Sequence, residues 1–337
     1  MHILASRIIP VINVTNDDGP PSSTSSPYVL PFVQALEAAG HTVSVIVPDT
    51  QRSWIGKAHI VGQDVRATYY WPPAQAPEEH RNPASNGSDN GSSSHDNGTQ
   101  PWVLVNGTPA GCAQLGLSHF FNDRGPVDLV ISGPNYGRNT TAVFALSSGT
   151  LGAALEASVC GYKAIALSFA FFDRTNDPAI VAESCKQGVR VAEYLYKNAS
   201  WSPAQLYSVN VPVKKGCSEA PVRWTKMLQN QWNKGACFEE LSSANAVDDP
   251  ASEEAKLRQQ EAKGGDQPKS NGDASASENK WKHRHFKWAP RFTDVYDSVK
   301  SAGPGSDGWA VQAGETSITA LKANFMHAEG FEGEVKL

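Results

Sequence analysis

The chain has 337 residues, with 29 Lys plus Arg against 34 Asp plus Glu, so its formal net charge is −5. This balance argues against a protein held to nucleic acid or to anionic lipid by net charge alone. Hydrophobic residues make up 40% of the chain, enough to build a large core.

Two stretches, residues 72–101 and 242–280, have a composition that does not suit a core. Both are rich in Ser, Asn, Gly, Asp, Glu, Lys and Gln, and we interpret them as low-complexity inserts. The remainder suits one α/β domain, because such domains often reach roughly 250 residues. We therefore predict a single domain over residues 1–337, with a core of residues 8–241 and 281–326.

The cysteines and the absence of long apolar runs predict a cytoplasmic protein. The chain has 5 Cys, and an odd number at wide spacing without a CxxC pair is a poor disulfide framework. No run approaches the roughly 20 apolar residues that span a bilayer. The first ten residues lack the features of a signal peptide.

The predicted elements begin with a β-α-β unit. The β-branched run 8–14 ends in turn residues and is typical of a buried parallel strand. In the following helix, Ser25 or Ser26 is expected to cap the N-terminus and Gly40 to end the helix. The helix has an apolar stripe formed by Leu30, Val33, Leu36 and Ala39. Residues 42–47 form the second strand of the unit.

The alternation of strands and helices continues along the chain. Helices are predicted at 109–121, 149–160 and 179–196, and strands at 127–132, 164–169 and 206–211. This order predicts a three-layer α/β fold, in which a mostly parallel, Rossmann-like sheet has helices on both faces. The segments 222–228, 285–288 and 316–321 are interpreted as C-terminal β-hairpin extensions. In such folds ligands bind at the carboxyl ends of the strands.

The sharpest local feature is the run Asn16-Asp17-Asp18-Gly19, which places two adjacent carboxylates at the end of the first strand. Two such charges repel each other unless they share a cation. An Asx-type turn before a helix explains the same residues equally well.

Loops after two other strands end at the same edge of the predicted sheet. Residues 48–54 contain Ser53, and residues 133–139 contain Asn135. Together with the Asp pair they offer only oxygen ligands, which suit a hard ion such as Mg²⁺, Mn²⁺ or Ca²⁺ rather than zinc. Nearby in the predicted fold, Ser148-Gly149-Thr150 opens a helix whose N-terminus is suited to bind a phosphate.

A set of short motifs in one order resembles the SurE survival-protein family of metal-dependent nucleotidases and phosphatases. The motifs are Asn16-Asp17-Asp18-Gly19, Gln51-Arg52-Ser53, Gly107-Thr108-Pro109, Ser132-Gly133-Pro134-Asn135 and Ser148-Gly149-Thr150. Each motif alone is weak, and their shared order carries the resemblance. It covers residues 11–212 and 307–321, and the segments 53–59 and 286–292 resemble the fungal branch of the family.

The resemblance implies a set of roles. Asp17, Asp18, Ser53 and Asn135 would hold one divalent cation per subunit, with Mg²⁺ or Mn²⁺ favoured. The segment Ser148-Gly149-Thr150 would lie beside the substrate phosphate. The implied activity is that of a 5′/3′-nucleotidase or acid phosphatase on small phosphate monoesters. Family members associate through C-terminal hairpins, which implies a homo-oligomer, either a dimer or a tetramer.

Hydrolysis of a phosphate monoester requires charge neutralisation and a positioned water. One hard cation can supply both, and Asp17 or Asp18 would take up the proton of the water. Asn16, Arg52 and Asn139 are further candidates for binding substrate. Arg52 and Arg138 reach either phosphate oxygens or a nearby carboxylate, and Asn139 orients either its own loop or the ligand.

The sequence departs from the family pattern at its start. Residues 1–4 would be expected to run directly into Thr15 and the Asp pair, but residues 5–14 intervene. We interpret residues 5–14 as an insertion or as an incorrectly predicted exon.

Two other functions agree less well with the sequence. A non-catalytic binding module for RNA or protein partners is the main alternative, because residues 280–288 interleave basic and aromatic side chains, as single-strand binders do. An interface or edge strand explains that segment better, so nucleic acid is the less favoured partner. A dinucleotide-dependent oxidoreductase lacks its glycine fingerprint after the first strand. The run 303–308 matches that fingerprint but is predicted neither to follow a strand nor to open a helix.

Overall fold

The computed structural model describes residues 10–72, 100–172, 176–232, 237–241 and 284–325. Most of the two low-complexity stretches lies outside the described residues. Within these ranges, no helix has both the length and the apolar character needed to cross a membrane.

A nine-stranded sheet forms the centre of the fold. Its strands are β1 (Val11–Thr15), β2 (Thr42–Pro48), β3 (Ala67–Tyr70), β4 (Trp102–Val105), β5 (Leu129–Tyr136), β6 (Ala164–Phe171), β7 (Gln205–Val213), β8 (Val222–Trp224) and β11 (Thr316–Lys322). Their order across the sheet is β3-β4-β2-β1-β5-β6-β7-β11-β8. The six strands from β4 to β7 in this order are mutually parallel, which confirms the mostly parallel sheet.

Helices cover both faces of the sheet. They are α1 (Val29–Ala38), α2 (Pro109–Ser118), α3 (Ala142–Ser147), α4 (Gly149–Val159), α5 (Pro178–Asn198), α6 (Phe292–Ala302) and α7 (Asp307–Gln312). Helix α1 packs against α5, and α2 packs against α4. Successive residues of β5 point to opposite faces, since Leu129 and Ile131 join the core beneath α1 and α5 whereas Val130 joins the core beneath α4. The predicted three-layer α/β fold is therefore confirmed.

Strand β1 begins three residues later than predicted and runs directly into the Asp pair. Residues 11–14 form most of this strand, whereas residues 5–9 lie outside the described part of the chain. The interpretation of residues 5–14 as an insertion or an incorrectly predicted exon therefore stays a prediction. Strand β1 lies between β2 and β5. The sheet is therefore extended from β1 in both directions, on one side by β2 and on the other by β5. Such a point, where the strand order reverses, is the switch point of the sheet, and α/β proteins of this kind bind ligands there at the carboxyl ends of the strands.

Helix α1 is capped differently from the prediction. It begins at Val29 after Tyr28, which makes no side-chain cap, so the expected capping by Ser25 or Ser26 is wrong. The Ser26 hydroxyl instead donates to the Gly19 carbonyl at 3.1 Å and thereby braces the turn that carries the Asp pair. At the other end Gly40 adopts φ +92°, as expected of a residue that ends a helix.

The C-terminal strands are arranged differently from the expected hairpins. Strand β11 pairs antiparallel with β7, and β8 pairs parallel with β11, so both extend the main sheet. Their β-branched pattern predicts strands but contains no information about which strand each one joins. Only β9 (Phe238–Leu241) and β10 (His285–Trp288) form a separate antiparallel ribbon among the described strands.

The glycine-rich run 303–308 has a structural role. It follows α6 and leads into α7, so the expectation that it opens no helix is wrong, while the absence of a preceding strand is confirmed. Asp307 accepts hydrogen bonds from the backbone N–H groups of Thr141, Leu228 and Gly308. Burial raises the pKa of this carboxyl group above its ordinary value, although the three donors act in the opposite direction. Asp307 thus ties together loops from distant parts of the chain.

Candidate active site

The turn after β1 is held by its own side chains. Asn16 is fully buried, its amide nitrogen donates to the Gly19 carbonyl at 2.9 Å, and its oxygen accepts from the Gly19 N–H at 3.0 Å. These bonds form the Asx-type turn considered above. The same turn places the buried carboxylates of Asp17 and Asp18 at the end of β1, and a cation shared by the pair stays a prediction. The Asn16 side chain serves the turn and does not line the cavity described below.

Asp17 is fixed from three directions. Its carboxylate accepts a 2.6 Å hydrogen bond from the Thr150 hydroxyl, and its backbone carbonyl accepts from the Arg52 N–H at 2.7 Å. Helix α4 approaches so closely that a Cβ atom on Gly149 would lie 2.7 Å from the Asp17 Cβ and 3.0 Å from Oδ2. Only a glycine allows this approach. The Asp17 side chain is therefore packed against the first turn of α4.

Asp18 is directed toward β5. Its Oδ2 accepts a hydrogen bond from the Tyr136 N–H at 2.6 Å, and the residue is 1% exposed. The two carboxylates of the pair thus have different partners, one on α4 and one on β5. Both carboxylates therefore lie at the carboxyl end of β1, and each is hydrogen-bonded to a different element.

Asn135 lies inside β5 rather than in a loop after it. The strand runs four residues past the predicted end at residue 132, with an irregularity in its pairing to β6 between Ser132 and Asn135. The Asn135 amide nitrogen donates to the Gly137 carbonyl at 2.8 Å. Because the nitrogen is used in this way, the carboxamide oxygen is the atom offered to a ligand.

The loop that carries Ser53 is anchored on the end of α3 and on α4. Gly56 N–H donates to the Ser147 carbonyl at 2.9 Å. Further along the loop, Lys57 Nζ lies 2.5 Å from the carboxylate of Glu156, a residue of α4 that is 3% exposed. Burial acts to raise the pKa of Glu156, but hydrogen bonds from Lys57, Gln114 and His59 outweigh it and hold the pKa below the ordinary value. This ion pair fixes the loop relative to the helix that contacts Asp17.

A small cleft of about 50 Å³ lies at the carboxyl ends of β1 and β5, beside the loop that carries Ser53. Since one water needs roughly 10–15 Å³ of such volume, the cleft has room for a phosphate-sized group or a hydrated ion. Its lining comprises Asp17, Ser53, Trp54, Asn135, Tyr136, Gly137, Arg138, Asn139, Phe144, Ser147 and Ser148.

Half of the predicted site residues line this cleft. They are Asp17, Ser53, Asn135, Asn139 and Ser148. Asp18, Gly149 and Thr150 adjoin it through the contacts already given. Asn139 also braces its own loop, because its side chain donates to the Ser168 hydroxyl at 2.8 Å and its N–H donates to Asn210 at 2.9 Å.

Arg52 and Arg138, for which the sequence allowed either a phosphate or a nearby carboxylate as partner, have different environments. Arg52 is not among the cleft-lining residues, and its guanidinium lies 3.7 Å from the Asp49 carboxylate. Arg138 lines the cleft. Its guanidinium lies over the rings of Tyr296 and Phe172, with centroid distances of 5.2 Å and 5.8 Å.

One wall of the cleft is aromatic, and sequence reasoning did not include it. Trp54 and Phe144 line the cleft, with ring centroids 5.7 Å apart. Behind them Trp288 of β10 and Phe292 of α6 lie 5.6 Å and 6.0 Å from the Trp54 ring. Isolated aromatic residues in loops give no local signal of this kind, because their convergence depends on the tertiary fold.

The donor set fits a hard divalent cation. Asp17, Ser53 and Asn135 line one cleft and Asp18 adjoins it, so the group offers carboxylate, hydroxyl and carboxamide oxygens. The described residues contain no group of three or more His, Cys, Asp or Glu side chains that would suit a metal such as zinc. Helix α4 begins beside this group, because Gly149 and Thr150 at its start contact Asp17, and the first N–H groups of a helix have no partner in the helix backbone.

Fold and site together define a doubly wound α/β protein with a polar cleft at its switch point. The family model described as "Survival protein SurE" matches residues 12–234. The chain belongs to the SurE family.

Individual relatives agree with this membership. The chain is 32% identical to the probable tubulin–tyrosine ligase PBY1 of Saccharomyces cerevisiae over 352 aligned positions, which cover 96% of this chain and 42% of that protein. It is 31% identical to the 5′-nucleotidase SurE of Synechocystis over 234 positions, covering 68% of this chain and 72% of the relative. The chain thus spans less than half of the yeast protein.

A solved structure has the same fold. The SurE protein from Aquifex aeolicus superimposes with a TM-score of 0.58 at 21% identity, covering 94% of this chain and 95% of that one. At this level of identity the likeness establishes the fold.

Proposed function

We propose that the protein is a metal-dependent phosphomonoesterase that hydrolyses nucleoside monophosphates and other small phosphate monoesters. The observation that carries the proposal is the convergence of Asp17, Ser53 and Asn135 on one cleft beside the N-terminus of α4. Membership of the SurE family, which includes proteins named 5′-nucleotidase, supports it.

In the proposed reaction, the residues around the cleft have different roles. Asp17, Asp18, Ser53 and Asn135 would hold one divalent cation, Mg²⁺ or Mn²⁺. When bound, that ion supplies positive charge to the phosphoryl oxygens and makes water more acidic. One Asp of the pair accepts the proton of the attacking water, and Asp17 is the one that lines the cleft.

Other residues bind or orient the phosphate. The N–H groups at the start of α4, near Gly149 and Thr150, face developing negative charge on the phosphoryl oxygens. Ser148 caps this helix, since its hydroxyl accepts from the Leu151 N–H at 3.1 Å. In this proposal Asn16 acts by shaping the turn, and Arg52 acts through the backbone bond to Asp17.

The test is phosphate release from 5′- and 3′-nucleoside monophosphates and p-nitrophenyl phosphate. The purified protein is measured after chelation and again after Mg²⁺ or Mn²⁺ is restored, beside Asp17→Asn and Asn135→Ala. Asp123→Asn and Asn122→Ala are matched controls, because both residues are exposed in a turn that precedes β5, at the opposite edge of the sheet.

We expect turnover to stop on chelation, to return with metal, and to fall by about 10²–10⁴-fold in the two site variants. The controls should retain wild-type rates. Metal-independent turnover, or an Asp17→Asn variant as active as the controls, would contradict the proposal. If the metal-loaded wild type releases phosphate from no substrate, the alternative of a non-catalytic binding module replaces the enzyme.

We also propose that subunits associate through the β9–β10 ribbon as a dimer or tetramer. Phe238 and Phe286 on this ribbon are 56% and 49% exposed, and a subunit interface would cover this apolar surface. Light scattering that gave only a monomer would exclude this association. The cytoplasmic localisation stays a prediction.

A further inference from the structure

We propose that Arg138 binds the phosphate group of the substrate in the cleft that Asp17 lines. This inference rests on the proposed function and deepens it. Arg138 lines the same small cleft as Asp17 and Asn135, so a phosphate held there would share the cleft with the guanidinium and with two of the proposed cation ligands. Arg52, the other candidate, is paired with Asp49 outside the cleft.

The described residues around Arg138 contact its guanidinium through a carbonyl group and two aromatic rings. One nitrogen, Nη2, donates to the Phe171 carbonyl at 3.3 Å. The rings of Tyr296 and Phe172 lie against its face, and such contacts orient an Arg while leaving its other N–H donors available. Within the described ranges, no carboxylate lies within ion-pair distance of Arg138, whereas Arg223 and Arg284 each pair with a Glu.

A half-buried cation on a small cleft favours an anionic ligand. Partial burial of a cation that no described carboxylate balances carries a cost in free energy, which an incoming anion offsets. Arg binds phosphate through two parallel N–H bonds, a geometry that Lys does not reproduce. The cleft accepts a phosphate-sized group. We therefore expect Arg138 to favour dianionic monoesters over monoanionic diesters.

Tyr296 is a positioning residue in this scheme. It belongs to α6, which lies outside the part of the chain matched by the family model. Its ring contacts Arg138 at a centroid distance of 5.2 Å. Removal of the ring should release the guanidinium, so its effect on phosphate binding should depend on the presence of Arg138.

The experiment measures KM and kcat for a nucleoside monophosphate and the competitive inhibition constant of inorganic phosphate. The proteins are the wild type, Arg138→Met, Arg138→Lys, Tyr296→Leu and the double variant. Arg190→Met is the matched control, because Arg190 is exposed on α5 and its Nη1 donates to a backbone carbonyl in the same way. Circular dichroism and thermal unfolding check that each variant is folded.

We expect Arg138→Met to raise KM and the phosphate inhibition constant about ten- to a hundred-fold, the range for one charged hydrogen bond, with a smaller change in kcat. Arg138→Lys should recover part of the loss. Tyr296→Leu should raise KM less and add nothing in the double variant. The preference for p-nitrophenyl phosphate over its diester should shrink in Arg138→Met.

An active wild type whose KM and phosphate inhibition constant are unchanged in Arg138→Met would overturn the Arg138 proposal alone. A fall in kcat with no change in either constant would also overturn it. A wild type that turns over no substrate would overturn the proposed function. Phosphate binding by that inactive protein, measured by calorimetry and lost in Arg138→Met, would still support Arg138, and no phosphate binding would overturn both.

Discussion

The hydrogen bond from Thr150 to Asp17 should set the orientation of the carboxylate that faces the cleft. Thr150 is fully buried and Asp17 is 3% exposed, and their oxygens lie 2.6 Å apart. Substitution Thr150→Val keeps the volume and the β-branch but replaces the hydroxyl with a methyl group. A hydrogen bond to a charged group contributes about 1.5–3 kcal/mol, so the free energy of unfolding should fall by about that amount.

The same substitution should lower activity. A carboxylate that loses its donor can rotate away from the ion it is proposed to hold, and small misplacements near reacting atoms cost up to about 10²-fold in rate. We expect Thr150→Val to weaken Mn²⁺ binding and to lower kcat/KM by about ten-fold or more. Calorimetric titration with Mn²⁺, urea unfolding and phosphate release measure the three effects.

Thr150→Ser is the matched control. It keeps the hydroxyl and removes one methyl group, which should cost about 1 kcal/mol of stability with little change in metal binding. If Thr150→Val binds Mn²⁺ and turns over substrate like the wild type, Thr150 does not orient Asp17. Equal losses in Thr150→Val and Thr150→Ser would show that packing, rather than the hydrogen bond, explains the effect.

Two further predictions concern α4. Gly149→Ala should destabilise the fold by about 1–3 kcal/mol through overpacking against Asp17 and should abolish most phosphate release. Gly111→Ala in the first turn of α2 is the control, because its added Cβ would meet only the Thr108 hydroxyl at 3.3 Å and should therefore cost less stability and no activity. Urea unfolding and phosphate release measure both effects, and equal behaviour of the two variants would contradict the close approach at Gly149. Because the folded pKa of Glu156 is depressed, its stabilisation is present above about pH 4.5 and lost as pH falls through the folded pKa. The stability difference between wild type and Glu156→Gln should therefore shrink from neutral pH to below pH 4.5 in urea unfolding, and a constant difference would refute it.

Local patterns predicted most of the central sheet. The runs that became β2, β6 and β7 are β-branched or apolar and bounded by turns, so their extent follows from the chain itself. Because parallel strands end at one edge, the positions of Asp17 and Asn135 near each other also followed from sequence. The end of β5 could not be predicted from the sequence, because its pairing with β6 continues past an irregularity that no local pattern indicates.

The sequence could not predict the partners that depend on distant contacts. Strand β11 has the same alternation whether it forms a hairpin or pairs with β7. Ser26 is a good capping residue by composition, yet its hydroxyl binds the Gly19 carbonyl because the Asp turn lies beside it. The ring of Tyr296 reaches Arg138 across more than one hundred residues of chain, and no spacing rule connects them.

Two parts of the chain therefore form and support the cleft. The turn at Asp17, the Ser53 loop and Asn135 all lie within the region matched by the family model, residues 12–234, and supply the oxygen atoms suited to an ion. Phe292 and Tyr296, which follow that region, support the aromatic wall and the guanidinium of Arg138. Because α6 contacts Arg138 and the aromatic wall but contributes none of the proposed ion ligands, changes in α6 should alter KM while leaving metal affinity near the wild-type value. Changes in the turn after β1 should do the reverse and reduce metal affinity first.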